Sequence, residues 1–152
     1  MRNWGNTLGR EKKGAYVCEL KMEKANAIKL ALKTCKKSNN AVLDLSNSEL
    51  TDVPPKIKEC SHVEELYLYG NKLSTLPVEF KKLTCLTTLI LSENNIREIP
   101  PAMSFLKLEV FDLRHNKLTE IPDVVYNCTT LKKLYLRQNR IQTIGPEIAK
   151  LK

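Results

Sequence analysis

The stretch "ELYLYGNKLSTLP", residues 65–77, decides how the rest of the chain is read. Leu66 and Leu68 alternate with Tyr67 and Tyr69, the period-two pattern of a short strand with one buried face. Asn71 follows after two residues, then Leu73, Leu76 and Pro77, so the chain turns away from the strand and carries further apolar side chains back. Such a unit cannot bury its apolar face alone. It needs copies of itself stacked alongside.

Those copies are present. "LILSENNIREIP" (89–100), "FDLRHNKLTEIP" (111–122) and "LYLRQNRIQTIG" (134–145) repeat the same frame, LxLxxNx(L/I)xx(L/I). Asn71, Asn94, Asn116 and Asn139 fall 23, 22 and 23 residues apart. Four matches in register are the leucine-rich repeat signature. The expected fold is an α/β solenoid with a parallel β-sheet on its concave face and a continuous apolar interior behind it. The asparagines form a structural ladder, each amide donating to and accepting from backbone groups of the adjacent turn.

The first coil, "NNAVLDLSNSELTDVPPKI", keeps Leu43, Leu45 and Leu50 but has Ser48 at the asparagine slot, as befits an end coil. Upstream, residues 16–37 place Val17, Leu20, Ala27, Ile28, Ala31, Leu32 and Cys35 on one helical stripe among lysines. That stripe reads as a capping helix over the first coil; a basic amphipathic helix on a membrane surface is the competing reading. The organisation expected is a basic, disordered leader (1–15), the capping helix (16–37) and about five coils (41–152). Val53-Pro54, Leu76-Pro77, Ile99-Pro100 and Ile121-Pro122 each precede an apolar residue, namely Ile57, Phe80, Met103 and Val125. Proline lacks an N–H and fixes φ, so these returning segments cannot form a second sheet. The fourth coil is one residue short, with Leu106 and Leu108 two apart, and a stacking irregularity is expected there. The last coil ends at "EIAKLK" with Leu151 in a core slot, which points to a truncated product, a piece of a longer solenoid, or an end that a partner covers.

Composition narrows the function. No stretch approaches the roughly 20 apolar residues needed to span a bilayer, and the N-terminus lacks the apolar core of a secretory signal. Five scattered cysteines, Cys18, Cys35, Cys60, Cys85 and Cys128, read as reduced thiols. A cytoplasmic chain, with the nucleus as second compartment, is expected. The net charge of +8 sits mainly in residues 1–40, which hold ten Lys/Arg against three Glu. A basic leader on a near-neutral body points to nucleic acid only weakly, and an anionic membrane or an acidic partner surface explains it as well; no nucleic-acid partner is expected, and membrane contact only indirectly.

No motif for a nucleophile, phosphate loop or metal protease occurs, and there are two histidines in all. The chain is therefore read as non-enzymatic, with no cofactor and no metal site. His62 reads as a solvated loop residue. What remains is the face that the repeat forces into columns. Asp44, Tyr67, Ile90, Asp112 and Tyr135 form one column, and Ser46, Tyr69, Ser92, Arg114 and Arg137 the next, with His115 at the rim. Exposed tyrosines and arginines are characteristic of protein interfaces. Tyr67, Tyr69, Asp112, Arg114, His115, Tyr135 and Arg137 are thus the candidate partner-binding residues.

"LDLSNSEL", "ELYLYGNKLSTLPVEF", "LSENNI", "FDLRHNKLTEIPDVVY" and "LYLRQNRI" resemble, coil by coil, the opening repeats of the Shoc/Sur-type Ras-pathway scaffold family, over roughly residues 25–152. The resemblance implies a scaffold that joins a GTP-loaded Ras-family GTPase to the type-one protein phosphatase catalytic subunit and so promotes Raf and MAP-kinase signalling. It implies partner contacts at Asp112, Arg114, Arg137, Tyr67 and Tyr69. The family's Val-x-Phe phosphatase-docking motif is not found in residues 1–21, where Val17 is followed by Cys18 and Glu19. Another intracellular repeat adaptor, associated with a ubiquitin ligase or a kinase, is the alternative.

Overall fold

The computed structural model describes residues 7–150, with side chains from Met22 to Ala149. Helix α1 (Thr7–Lys37) is followed by five short strands, β1 (Val42–Asp44), β2 (Glu65–Tyr67), β3 (Thr88–Ile90), β4 (Val110–Asp112) and β5 (Lys133–Tyr135). The strands pair in sequence order and all in parallel. Between them the chain returns through single 3-10 turns at Pro55–Glu59, Val78–Lys82 and Pro101–Phe105, a short helix α2 (Asp123–Asn127), and a last turn at Pro146–Lys150.

Each returning segment starts the same way for a physical reason. Pro54, Pro77, Pro100 and Pro122 stand at the N-terminal boundary with φ between −58° and −73°. In each case the proline carbonyl accepts from the N–H three residues on, at Ile57, Phe80, Met103 and Val125. That bond turns these four side chains inward, where all are buried. The strand leucines meet them from the other side, so Leu66, Leu68, Phe80, Leu83, Leu89 and Leu91 have no exposed surface. At roughly 25 cal/mol per Å² of apolar area removed from water, this continuous interior is the main stabilising term.

The asparagines tie neighbouring coils together. Asn94 Nδ2 donates to the Leu68 carbonyl of the preceding coil (2.9 Å) and to Leu91 of its own (3.0 Å), while Oδ1 accepts from Leu73 N–H (3.0 Å). Asn71, Asn116 and Asn139 repeat this with their own neighbours. The shortened fourth coil shows its irregularity in hydrogen bonds. Val63, Leu86 and Leu131 each donate to the carbonyl three residues back, a bond the missing residue removes at Leu108. At the same position the Leu108 carbonyl accepts from Thr130 Oγ1 (2.8 Å) and Cys128 Sγ (3.4 Å) of the next coil.

Helix α1 packs on the first coil through Ile28, Leu32 and Cys35, all buried. Lys36 pairs with Glu59 at 3.0 Å, and Lys24 pairs with Glu49. Three details differ from the sequence reading. The helix begins at Thr7, so residues 7–15 are helical rather than part of a leader, in keeping with the good helix propensity of Arg10, Glu11, Lys12, Lys13 and Ala15. Ala27 is exposed, since the contact stripe is narrower than the apolar one. His62 is half-buried, its Nε2 3.9 Å from Cys35 Sγ beneath the helix. Residues 1–6, Leu151, and the side chains of Val17, Cys18 and Leu20 lie outside the described residues.

Candidate functional site

Strand alternation and parallel register build the concave face. Asp44 pairs with Tyr67, Tyr67 with Ile90, Ile90 with Asp112 and Asp112 with Tyr135, so the anticipated column exists residue for residue. Residues i and i+2 of one strand share a face, which puts Arg114 beside Asp112.

That pair is more than adjacent. Arg114 Nε donates to both Asp112 oxygens (3.0 and 3.1 Å), Nη2 donates to Oδ2 (2.6 Å), and the Arg114 backbone N–H donates to Oδ1 (3.0 Å). The Asp112 residue is only 2% exposed although its column faces outward, because the guanidinium folds over it. The Arg114 side chain stays 46% exposed and lies over the Tyr135 ring, 5.2 Å from the centroid. Burial pushes the Asp112 carboxyl up, but the hydrogen bonds and charge of Arg114, helped by the Ser92 hydroxyl, outweigh it and hold the group below the usual carboxylate range. The Asp112 hydrogen bonds and charge in turn raise the Arg114 pKa. The guanidinium is thus held in one orientation by an anion beneath it and a π-face beside it.

The other candidates are distributed differently. Tyr67 donates its hydroxyl to Glu65 Oε2 at 2.6 Å, and that hydrogen bond, ahead of burial, raises its pKa. Tyr67 lies two strands from Asp112, about 10 Å at ordinary strand spacing, so it belongs to a separate part of the face. Tyr69, Tyr135 and Arg137 are exposed. His115 is exposed at the rim, with φ of 53°, and its N–H donates to the Arg137 carbonyl (3.0 Å). The same left-handed conformation recurs at Asn47, Gly70, Glu93 and Gln138, one residue before the asparagine slot or its Ser48 counterpart. Sequence reading placed His115 at this rim but missed its left-handed backbone, and it also missed Ser92 and Glu65 as supports. The signal was available in the i, i+2 spacing for Glu65 and in cross-strand register for Ser92. Among the described residues no three His, Cys, Asp or Glu side chains converge on a point that could hold a metal ion.

Family models for the leucine-rich repeat match residues 39–96, 107–128 and 127–146. The chain belongs to the leucine-rich repeat family. Its repeats are 46% identical over 59 residues to the leucine-rich repeat protein soc-2 homolog of Drosophila erecta, covering 39% of this chain and 9% of that protein. They are 47% identical over 69 residues to the leucine-rich repeat protein SHOC-2 of Danio rerio, covering 45% and 12%. These relatives bear out the Shoc/Sur-type resemblance, and the chain matches only about a tenth of their length. Among solved structures, a leucine-rich repeat protein of Leptospira interrogans superposes with a TM-score of 0.67 at 37% identity, covering 68% of this chain and 27% of that one. The ectodomain of the Arabidopsis thaliana receptor kinase GASSHO1/SCHENGEN3, in complex with Casparian Strip Integrity Factor 2, superposes at 0.60 and 36% identity, covering 72% and 14%. No helix among the described residues is long and apolar enough to cross a membrane.

Proposed function

We propose that this repeat domain is a non-enzymatic scaffold that binds a GTP-loaded Ras-family GTPase on its concave face and promotes Raf and MAP-kinase signalling in the cytoplasm. In this reading the type-one protein phosphatase catalytic subunit and a Raf kinase are further members of the assembly. The observation that carries it is the preset Arg114 guanidinium over Tyr135, on repeats similar to those of SHOC-2. A fixed arginine loses little conformational freedom on binding, and its remaining N–H groups suit a carboxylate or backbone carbonyl of a partner. Tyr69, Tyr135 and Arg137 supply the exposed aromatic and cationic surface around it. A GTPase orders its switch segments only when the γ-phosphate is present, so recognition of those segments is nucleotide-dependent.

The test is capture of this chain on immobilised Ras-family GTPases loaded with a non-hydrolysable GTP analogue or with GDP. The GTP form retains the chain, and Arg114→Ala lowers retention at least tenfold, the effect of a single interface hot spot. Equal retention by both nucleotide forms overturns the proposal. The similarity to a receptor-kinase ectodomain favours a second reading, a kinase-associated recognition repeat. The full transcript discriminates, since further coils support the scaffold and a kinase domain supports the alternative.

A further inference from the structure

A groove of about 840 Å³ runs between the C-terminal half of α1 and the returning segment of the first coil, well away from the concave face. Its floor is apolar, formed by Ala25, Ile28 and Leu32 of the helix and by Leu50, Pro54 and Pro55 of the coil. The two prolines leave that wall without N–H donors, so it offers a ligand little but hydrocarbon. The rim is cationic: Lys29, Lys33, Lys36 and Lys37 on the helix side and Lys56 opposite. Glu59 is the one carboxylate lining the groove, and it is taken by Lys36 at 3.0 Å.

The distribution of charge along α1 is the unusual feature. From Lys24 to Lys37 the helix carries five lysines and no carboxylate. Lys29, Lys33 and Lys36 follow an i, i+4, i+7 spacing on one face, where like charges oppose helix formation. Carboxylates supplied from outside relieve that repulsion. The groove parallels the helix from Ala25 to Lys37, about 18 Å at 1.5 Å per residue, which matches three turns of a second helix. We propose that this groove is a docking site for an acidic amphipathic helix of a partner protein, with apolar side chains at i, i+4 and i+7 on the floor and Asp or Glu against the lysine rim. The chain's own first 21 residues have the wrong sign for the position, with five Lys/Arg against two Glu. A lipid surface would meet the lysines but not the recessed floor.

The experiment measures fluorescence anisotropy of a labelled 14-residue helical peptide, Leu at i, i+4, i+7 and i+11 and mainly Glu and Ala elsewhere, titrated with the full chain. A Lys-for-Glu counterpart, a peptide with the leucines replaced by alanine, and phosphatidylserine vesicles are run beside it. The expected result is binding of the acidic leucine peptide only, at least tenfold tighter than either control, weakened at high salt. Lys29→Gln with Lys33→Gln, both exposed on α1, lowers that affinity at least tenfold with an unchanged circular dichroism spectrum, whereas Arg114→Ala leaves it unaltered. Equal binding of the acidic and basic peptides, or of the peptide without leucines, overturns the proposal. So does vesicle binding through the same lysines that the acidic peptide fails to compete away.

Discussion

Asp112→Asn tests whether the Arg114 orientation is set by the buried carboxylate. The substitution keeps an oxygen able to accept from the Arg114 backbone N–H, bonded to Oδ1 at 3.0 Å, but replaces the charged oxygen that meets Nη2 at 2.6 Å by a donor or a neutral acceptor. A charge-assisted hydrogen bond contributes about 1.5–3 kcal/mol net. Because the Arg114 side chain is 46% exposed, solvent screening lowers the expected coupling to about 1–2 kcal/mol. A double-mutant cycle with Arg114→Met, followed by urea unfolding, measures it directly. Arg114→Met is the costlier single change, since it removes the cation and all three of its side-chain hydrogen bonds to the Asp112 carboxylate. The pH dependence fixes the sign. Asp112 is held below the usual carboxylate range, so its contribution is complete above the unfolded pKa of about 3.9 and is lost as pH falls through the depressed folded value. Coupling below about 0.3 kcal/mol at pH 7 would refute the pairing energy argued here. Coupling that persists after Asp112 has titrated, with the protein still folded, would refute its ionic character.

Asn94→Ala leaves the Leu73 N–H without its partner and takes one of two amide donors from each of the Leu68 and Leu91 carbonyls, which keep Asn71 and Asn116, and is expected to cost about 1–3 kcal/mol in urea unfolding; Asn139→Ala costs less, because Asn139 is only half-buried. Gly70 has φ of +66° and a Cβ there would run into the Asn47 side-chain oxygen, so Gly70→Ala lowers stability by about 1–2 kcal/mol. Glu93, with φ of 55° in the equivalent position, gains about 0.5–1 kcal/mol as Glu93→Gly, measured by the same melts. Burial raises the Cys60 thiol pKa to about 12, with Cys35 adding to the effect, so iodoacetamide at pH 8 labels exposed Cys85 in the native protein and spares Cys60 until denaturant is added.

The repeat made much of this structure legible because it converts spacing into position. Once Asn71, Asn94, Asn116 and Asn139 set the frame, the register from Asp44 to Tyr135 followed by counting. What counting could not supply was the depth of a side chain. Alternation places Asp112 outward, yet it is buried, because burial there depends on whether Arg114 folds back or extends. The left-handed rim was equally hidden, since Asn47, Glu93, His115 and Gln138 share a backbone conformation and no side-chain chemistry. The start of α1 at Thr7 was missed because the apolar stripe by which the sequence marks this helix begins only at Val17.

The i, i+2 relation that explains Asp112 also changes the standing of the tyrosines. Tyr67 sits two residues after Glu65 on the same face and donates its hydroxyl to it at 2.6 Å, so that phenol is already committed within its own strand. A partner that takes the Tyr67 proton must first break this bond, whereas the rings of Tyr69 and Tyr135 stand exposed without such a tie. The concave face therefore presents its available aromatic surface at Tyr69 and beside Arg114 at Tyr135. Tyr67→Phe, which removes the intrastrand bond and leaves the ring, should accordingly disturb partner capture less than loss of either exposed ring.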